Sequence, residues 1–217
     1  MKKIALIVAG GTGKRMKTEI PKQFLLLNNF PVLMHSIKKF SHFEKIILVL
    51  PKKQLNYWSQ LCRRWNFNNN HIVVEGGSTR FQSVKNGLSK VDEESIIAIH
   101  DGVRPLISKI LIDTLISKTK KGIGVIPILP VIDTIREIEG GKSIPIEREK
   151  IYQVQTPQCF FSSDIKNAYK KKYSKYFTDD ASVLESNGGK ITSLLGERKN
   201  LKITTIEDLK IATVFMQ

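Results

Sequence analysis

Three short segments combine residue types suited to handling phosphate-bearing molecules. Ala9-Gly10-Gly11-Thr12-Gly13-Lys14-Arg15-Met16 ends an apolar run, and Pro21-Lys22-Gln23 follows shortly after. Glycines at the end of a strand let backbone N–H groups approach a phosphate without Cβ interference. Lys14, Arg15 and Lys22 add positive charge beside them. Two familiar phosphate loops do not fit. A dinucleotide fingerprint needs a glycine three residues after Gly13, where Met16 stands, and a Walker A loop needs Gly and Ser/Thr where Val8 and Arg15 stand. The segment is a nucleotide-type loop of another kind or, read alone, a tight strand–helix turn edged by solvated lysine.

The second segment, Glu75-Gly76-Gly77-Ser78-Thr79-Arg80-Phe81-Gln82-Ser83-Val84, also follows an apolar run. Ser78 is placed to N-cap a helix whose first turns carry Arg80 and Ser83. Such a loop accommodates a base or a ribose, or serves only to cap the helix. The third, His100-Asp101-Gly102-Val103-Arg104-Pro105, lies at the carboxyl end of another apolar run. Ligands of open α/β sheets bind outside that end of the strands. There Asp101 and Arg104 could meet a metal or substrate oxygen and a phosphate, or pair with each other. No second histidine lies at ligand spacing from His100, which reads as a packed residue.

These segments need a frame that brings strand ends together. Unbroken Ile/Val-rich runs at 4–9, 45–50, 72–74 and 96–100 have the character of strands buried on both faces of a parallel sheet. Helical patterns at about 32–40, 53–65, 78–89 and 108–120 lie between and after them, and 122–128 supplies another strand. Repeated alternation predicts an α/β fold: an open, mostly parallel Rossmann-like sheet flanked by helices. From 131 to 155 the period changes to alternation around Glu139-Gly140-Gly141-Lys142, which predicts a protruding β-hairpin arm. An isolated hairpin is marginal in water, so the arm is expected to pack on something, such as another subunit. Helices are expected at 163–172 and 180–186, strands at 191–195 and 201–203, and a last helix capped by Thr205. Residues 1–217 read as a single domain bearing this arm.

Composition narrows the classes. The chain of 217 residues is 41% hydrophobic, ample for a core, and carries 35 Lys+Arg against 20 Asp+Glu, a net charge of +15. Its longest apolar runs fall far short of the ~18–20 residues of a membrane span. The Met-Lys-Lys start and apolar 4–9 superficially resemble a signal peptide, but they run into a glycine loop with no Ala-x-Ala site. Only Cys62 and Cys159 are present, which suits a reducing cytoplasm. A charge of +15 fits nucleic acid, an anionic membrane or small polyanions. The eight arginines discriminate better than the total, since Arg suits bidentate phosphate contacts while scattered Lys suits solvation.

Taken in order, the motifs resemble one family throughout. The set is Ala9-Gly10-Gly11-x-Gly13-x-Arg15-Met16, Pro21-Lys22-Gln23, Gly76-Gly77-x-x-Arg80-x-x-Ser83-Val84 and His100-Asp101-x-x-Arg104-Pro105. Asp133-Thr134, Arg148, Gln155-Thr156-Pro157-Gln158, Thr178-Asp179-Asp180-Ala181-Ser182 and Asn200-x-Lys202-x-Thr204 continue it. The chain resembles the 2-C-methyl-D-erythritol 4-phosphate cytidylyltransferases of the non-mevalonate isoprenoid pathway. The resemblance implies that CTP and 2-C-methyl-D-erythritol 4-phosphate, a sugar-alcohol phosphate, are joined with loss of pyrophosphate and with Mg2+ as cofactor. It places Ala9, Gly10, Gly11, Gly13, Lys14, Gly77, Ser78, Arg80 and Ser83 around the nucleotide. Arg15 and Lys22 become the pair that stabilises charge at the α-phosphate. Asp101, Arg104, Thr134, Arg148, Thr156 and Lys202 form the sugar-phosphate site, with Asp101, Arg148 and Lys202 grouped with the catalytic pair. The magnesium is expected to be held mainly by the CTP phosphates, with Asp101 a possible ligand. In such enzymes the arm swaps across a homodimer and completes the neighbour's site.

The implied chemistry is largely electrostatic. A phosphate already ionised at neutral pH needs neither a general base nor a side-chain nucleophile, but it must approach a strongly negative triphosphate. Ser78 stands where the family often has an acidic residue, and Gly102-Val103 replaces a frequent Ala-Ala, which bears on substrate preference. Ribitol-5-phosphate cytidylyltransferases share the first loop and the Asp-x-x-Arg-Pro motif and are the nearest alternative. A nucleic-acid-binding protein would show basic residues along one face, interleaved with stacking aromatics, a pattern this sequence lacks. A nicotinamide dehydrogenase is disfavoured by Met16. The sequence-based expectation is a cytoplasmic enzyme with no nucleic-acid or membrane partner.

Overall fold

The computed structural model describes residues 1–10 and 20–216. Its strands in chain order are β1 (Lys2–Val8), β2 (Leu26–Leu27), β3 (Phe30–Pro31), β4 (Lys45–Leu50), β5 (Ile72–Glu75), β6 (Ser95–Asp101), β7 (Ile123–Pro130), β8 (Ile135–Glu139), β9 (Lys142–Ile146), β10 (Tyr152–Val154), β11 (Gln158–Phe161) and β12 (Lys190–Leu195). The helices are α1 (Val32–Lys38), α2 (Leu55–Arg64), α3 (Arg80–Leu88), α4 (Lys109–Lys118), α5 (Ser162–Ala168), α6 (Asp180–Ser186) and α7 (Ile206–Val214).

An eight-stranded sheet organises the molecule, with β5-β4-β1-β6 adjacent and parallel. Beyond β6 comes antiparallel β11, then β7, which pairs with β10 and β11 on one side and parallel β12 on the other. The unbroken apolar runs follow from two-sided burial. Ala5, Ile7, Leu48 and Leu50 pack toward α1, α2 and α4 in one core layer. Their neighbours Ile4, Leu6, Ile47 and Val49 pack toward α3, α5 and α6 in the other. A smaller cluster gathers Leu27, Val32, Val103, Leu106, Ile203 and Ala212 beneath α7.

Helix starts follow their caps. Ser108 accepts from the Leu111 amide, and Thr205 forms a capping box with Asp208. At α3 the cap is Thr79 rather than Ser78, because Thr79 sits three residues before the Gln82 amide that its hydroxyl accepts from. The expected strand at 201–203 is not formed. Ile203 is buried in the small cluster and its amide bonds to the Val103 carbonyl, so that run packs on the loop after β6 instead of a sheet edge. The arm pairs β8 with β9 as a separate two-stranded sheet. Gly140 and Gly141 turn it at φ of 53° and 79°, a left-handed pair that favours glycine. Strand pairing in the arm is narrower than 131–155, since Tyr152–Val154 has already rejoined the main sheet beside β7.

Candidate active site

The strand order changes direction between β1 and β6: the chain adds β4 and β5 on one side of β1, then crosses to the other. Open α/β sheets bind ligands at such a switch point. Here the ends are drawn tightly together, with Val8 in register with Asp101 and the Gly102 amide 2.9 Å from the Val8 carbonyl. A Cβ on Gly102 would lie 2.9 Å from the Ala9 Cβ and 2.8 Å from Leu33 Cδ1, so only glycine fits this approach without displacement. A cleft of about 330 Å³ opens over these ends. Ala9, Gly10, Lys22, Gly77, Ser78, Arg80, Ser83, Asp101 and Lys202, all expected site residues, line it.

Asp101 is its electrostatic centre. Oδ2 lies 3.0 Å from Lys202 Nζ and 3.3 Å from Arg104 Nε, and Oδ1 faces Arg80 Nε at 3.9 Å. Burial alone would push the carboxyl up, but Lys202, Arg80 and Arg104 outweigh it and hold Asp101 far below the ordinary carboxylate range. Arg104 is 8% exposed and donates its Nη1 to the Asn200 carbonyl at 2.8 Å. Burial lowers its guanidinium, partly offset by Asp101.

Thr156 and His100 fix the carboxylate's own strand end. The Asp101 amide donates to Thr156 Oγ1 at 3.0 Å, and that hydroxyl lies 3.1 Å from His100 Nδ1. His100 Nε2 is 3.0 Å from the Arg104 carbonyl, which can only accept. The network therefore assigns the proton to Nε2 and leaves Nδ1 to accept from Thr156. Burial lowers His100 to about 4, partly offset by the Arg104 carbonyl, so the ring is neutral. Its full burial bears out the reading of His100 as a packed residue. Thr156 thus acts through its hydrogen bonds to the β6 end. Asn200, fully buried, ties the approach to Lys202 back by donating to the Thr156 carbonyl at 2.9 Å.

On the opposite wall, Gln23 holds the turn that carries Lys22. Its Nε2 donates to the Ala9 carbonyl at 3.0 Å and to Gln54 Oε1 at 2.6 Å. Ser83 Oγ donates to the Thr79 carbonyl at 2.9 Å and accepts from the Gly77 amide at 3.1 Å, closing the second loop into a shelf. Arg80 differs from expectation in one respect: both terminal nitrogens bond to Asp180, so its fork is not open toward the cleft.

Among the described residues, four expected ones do not line this cleft: Arg104 and Thr156 are buried beside Asp101, and Thr134 and Arg148 are not brought to it. Thr134 and Arg148 lie exposed along the arm segment, and Arg148 Nη1 donates to the Ile132 carbonyl at 2.5 Å. Gly11, Gly13, Lys14, Arg15 and Met16 lie outside the described residues. Gln23, Asn200 and Asp180 were not among the residues assigned to the site from sequence. All three stand within the quoted motifs, but nothing in a sequence separates a buried polar brace from a solvated side chain.

A cleft at the switch point, walled by lysine and arginine around one carboxylate, can hold a phosphorylated nucleotide and draw a second phosphate toward it. Among the described residues no helix is long and apolar enough to cross a membrane. The sequence profile of the 2-C-methyl-D-erythritol 4-phosphate cytidylyltransferase family matches residues 3–217. A relative bearing that name from Azobacteroides pseudotrichonymphae is 49% identical over 216 residues, covering 97% of this chain and 96% of its own. One from Bacteroides fragilis is 42% identical with both chains fully covered. Among solved structures, the enzyme so named from Francisella tularensis superposes with a TM-score of 0.82 at 29% identity, covering 99% of both chains. With a matched profile over nearly its whole length and relatives above two-fifths identity, the chain belongs to the 2-C-methyl-D-erythritol 4-phosphate cytidylyltransferase family of nucleotidyltransferases.

Proposed function

We propose that this protein transfers the cytidylyl group of CTP to 2-C-methyl-D-erythritol 4-phosphate, releasing pyrophosphate. The observation that carries the reading is the cage of Arg80, Arg104 and Lys202 around Asp101 at the joined ends of β1 and β6. Family membership and the in-order motifs support the substrate pair.

In this reading CTP lies in the cleft with its base and ribose against Gly77, Ser78 and Ser83. Its phosphates lie over the glycine loop, within reach of Lys22. Residues Gly11, Gly13, Lys14 and Arg15 complete that loop by family resemblance. An oxygen of the sugar phosphate forms a bond to the α-phosphorus as the bond from that phosphorus to the pyrophosphate oxygen breaks. No proton has to move, because the attacking phosphate is ionised. The protein's work is to hold two anions in line and to neutralise the charge that builds on the leaving group. Lys22 and Arg15 are assigned to the α-phosphate, while Lys202 and Arg104, steadied by Asp101, receive the sugar phosphate.

Magnesium fits the donor set. Asp101 is the one carboxylate lining the cleft among the described residues, with Oδ2 held by Lys202 and Arg104 and Oδ1 farther from its cation. One carboxylate oxygen together with substrate phosphates is the oxygen chemistry that Mg2+ accepts. Bound there, the ion would offset phosphate charge.

The arm supplies the remaining parts. Ile138 and Ile144 are exposed on it, and Ile132, Tyr152, Val154 and Leu195 are exposed near its base. We assign this apolar surface to a homodimer in which Thr134 and Arg148 reach the partner's cleft, which accounts for their distance from Asp101 within one chain. Turnover decides the reading. With CTP and Mg2+, 2-C-methyl-D-erythritol 4-phosphate should release pyrophosphate far faster than ribitol 5-phosphate; equal or reversed rates would overturn the substrate assignment.

A further inference from the structure

Asp180 contributes to the charge balance of the site without lining the cleft. It lies at the start of α6 with no exposed surface, one hundred residues from Arg80 in the chain. Its Oδ1 accepts from Arg80 Nη1 at 2.8 Å and from Tyr169 Oη at 2.6 Å, and its Oδ2 accepts from Arg80 Nη2 at 2.6 Å. Tyr169 in turn stacks on Phe81, the residue after Arg80, with ring centroids 4.6 Å apart. The start of α6 is fixed separately: Gln158 accepts from the Ala181 amide at 2.9 Å and donates to Asp179 at 2.8 Å. The carboxylate is therefore held by its own framework and by the arginine it grips.

Arg80 remains at the cleft wall, its side chain 32% exposed, and presents only its Nε edge toward Asp101 at 3.9 Å. A guanidinium with an open fork is the strongest bidentate phosphate binder among the side chains. Asp180 closes that fork. Around Asp101, three cations (Arg80, Arg104, Lys202) then face two carboxylates, leaving a small positive excess for the substrates.

We propose that Asp180, braced by Tyr169, is a positioning residue that withholds the Arg80 fork from phosphate and keeps Arg80 as a fixed wall charge beside Asp101. Release of the fork would let Arg80 clamp pyrophosphate, the leaving group, and compete with Lys202 and Arg104 for Asp101. The inference rests on the proposed cytidylyl transfer for its substrates, but the binding measurement below does not need turnover.

The test is a double-mutant cycle of Asp180→Asn and Arg80→Met, read by calorimetric binding of magnesium pyrophosphate and by steady-state kinetics. Asp180→Asn should bind pyrophosphate roughly tenfold more tightly, the worth of one charge-assisted hydrogen bond. Its kcat should fall while the KM for CTP does not rise, a split that simple loosening of the fold would not give. Adding Arg80→Met should abolish the tighter binding, so the two changes do not add. Unchanged or weaker pyrophosphate binding in folded Asp180→Asn, or additive effects in the cycle, would overturn the proposal. Should Asp180→Asn fail to fold, Tyr169→Phe, which removes one brace from the Asp180 carboxylate and leaves its charge in place, must show the same tightening at about a two- to threefold level, a fraction of the charge-assisted bond removed; no tightening there overturns it as well. Wild-type turnover of CTP with 2-C-methyl-D-erythritol 4-phosphate, measured alongside, reports separately on the function itself.

Discussion

Replacing Asp101 by Asn tests whether the carboxylate organises the cationic wall. The exchange keeps shape and removes the charge that Arg104, Lys202 and Arg80 share. Their contributions differ with burial. Arg104 is 8% exposed and its partner 7%, so removing Asp101 leaves a buried guanidinium without its counter-charge. Breaking one side of a buried pair costs ~3–5 kcal/mol. The Lys202 side chain is 42% exposed, and its pair is screened to about 1 kcal/mol or less. The expected total is therefore about 3–5 kcal/mol, dominated by Arg104. That is a large share of the ~5–15 kcal/mol stability of a typical protein, and lowers Tm by roughly 6–20 °C at this chain length. Urea unfolding at pH 7 with unchanged m-value is the assay. The sign of the pH dependence follows from the depressed Asp101 ionisation. The wild type's advantage is full above the ordinary value of 3.8 and shrinks as pH falls below it toward the lower native value. A loss under about 1 kcal/mol at pH 7, no more than an exposed pair gives, would refute the reasoning.

Three further outcomes follow from the same geometry. Lys22→Ala should lower kcat by about 10²–10³ with little change in the KM for CTP, by analogy with lost oxyanion donors; near-wild-type turnover would remove Lys22 from the transition state. Arg148→Ala should chiefly raise the KM for the sugar phosphate, and an unchanged KM would exclude it from that site. His100, lowered to about 4 by burial, should stay in the neutral Nε2–H form in nitrogen NMR spectra from pH 8 down to 5. Because its native ionisation lies below the ordinary 6.5, its stabilising contribution is full above pH 6.5 and is lost as pH falls toward 4; an imidazole titrating near 6.5 would contradict the hydrogen-bond network.

Much of the frame was legible in the residues because its strands are buried on both faces. Lys45–Leu50 and Asp180–Ser186 have the bounds that their apolar patterns predict. Outside the arm, short antiparallel elements were not legible. Gln158–Phe161 follows a proline turn and gives four residues with no alternation, yet it fills the gap between β6 and β7. The run at 201–203 has the opposite character: it looks like a strand in isolation, but Leu201 and Ile203 find their apolar partners in the small cluster, off the sheet. In the site, Asp101 and Arg104 were visible because three-residue spacing at a strand end brings them together. Lys202 arrives from another loop, and only the matched motif suggested it. Arg80 was expected to meet the nucleotide, but its fork is set by Asp180, a contact that spacing along the chain cannot reveal. The surplus lysine says less than the +15 total suggests, since the discriminating cations are the few that converge on Asp101.

The most direct test of cytidylyl transfer at this cleft is a crystal structure with CTP and Mg2+ bound. The account predicts the α-phosphate beside Lys22 over the joined ends of β1 and β6, the base against Gly77 and Ser83, and an open path to that phosphorus from Lys202 and Arg104. CTP bound elsewhere, or with its triphosphate turned away from Lys22, would contradict it.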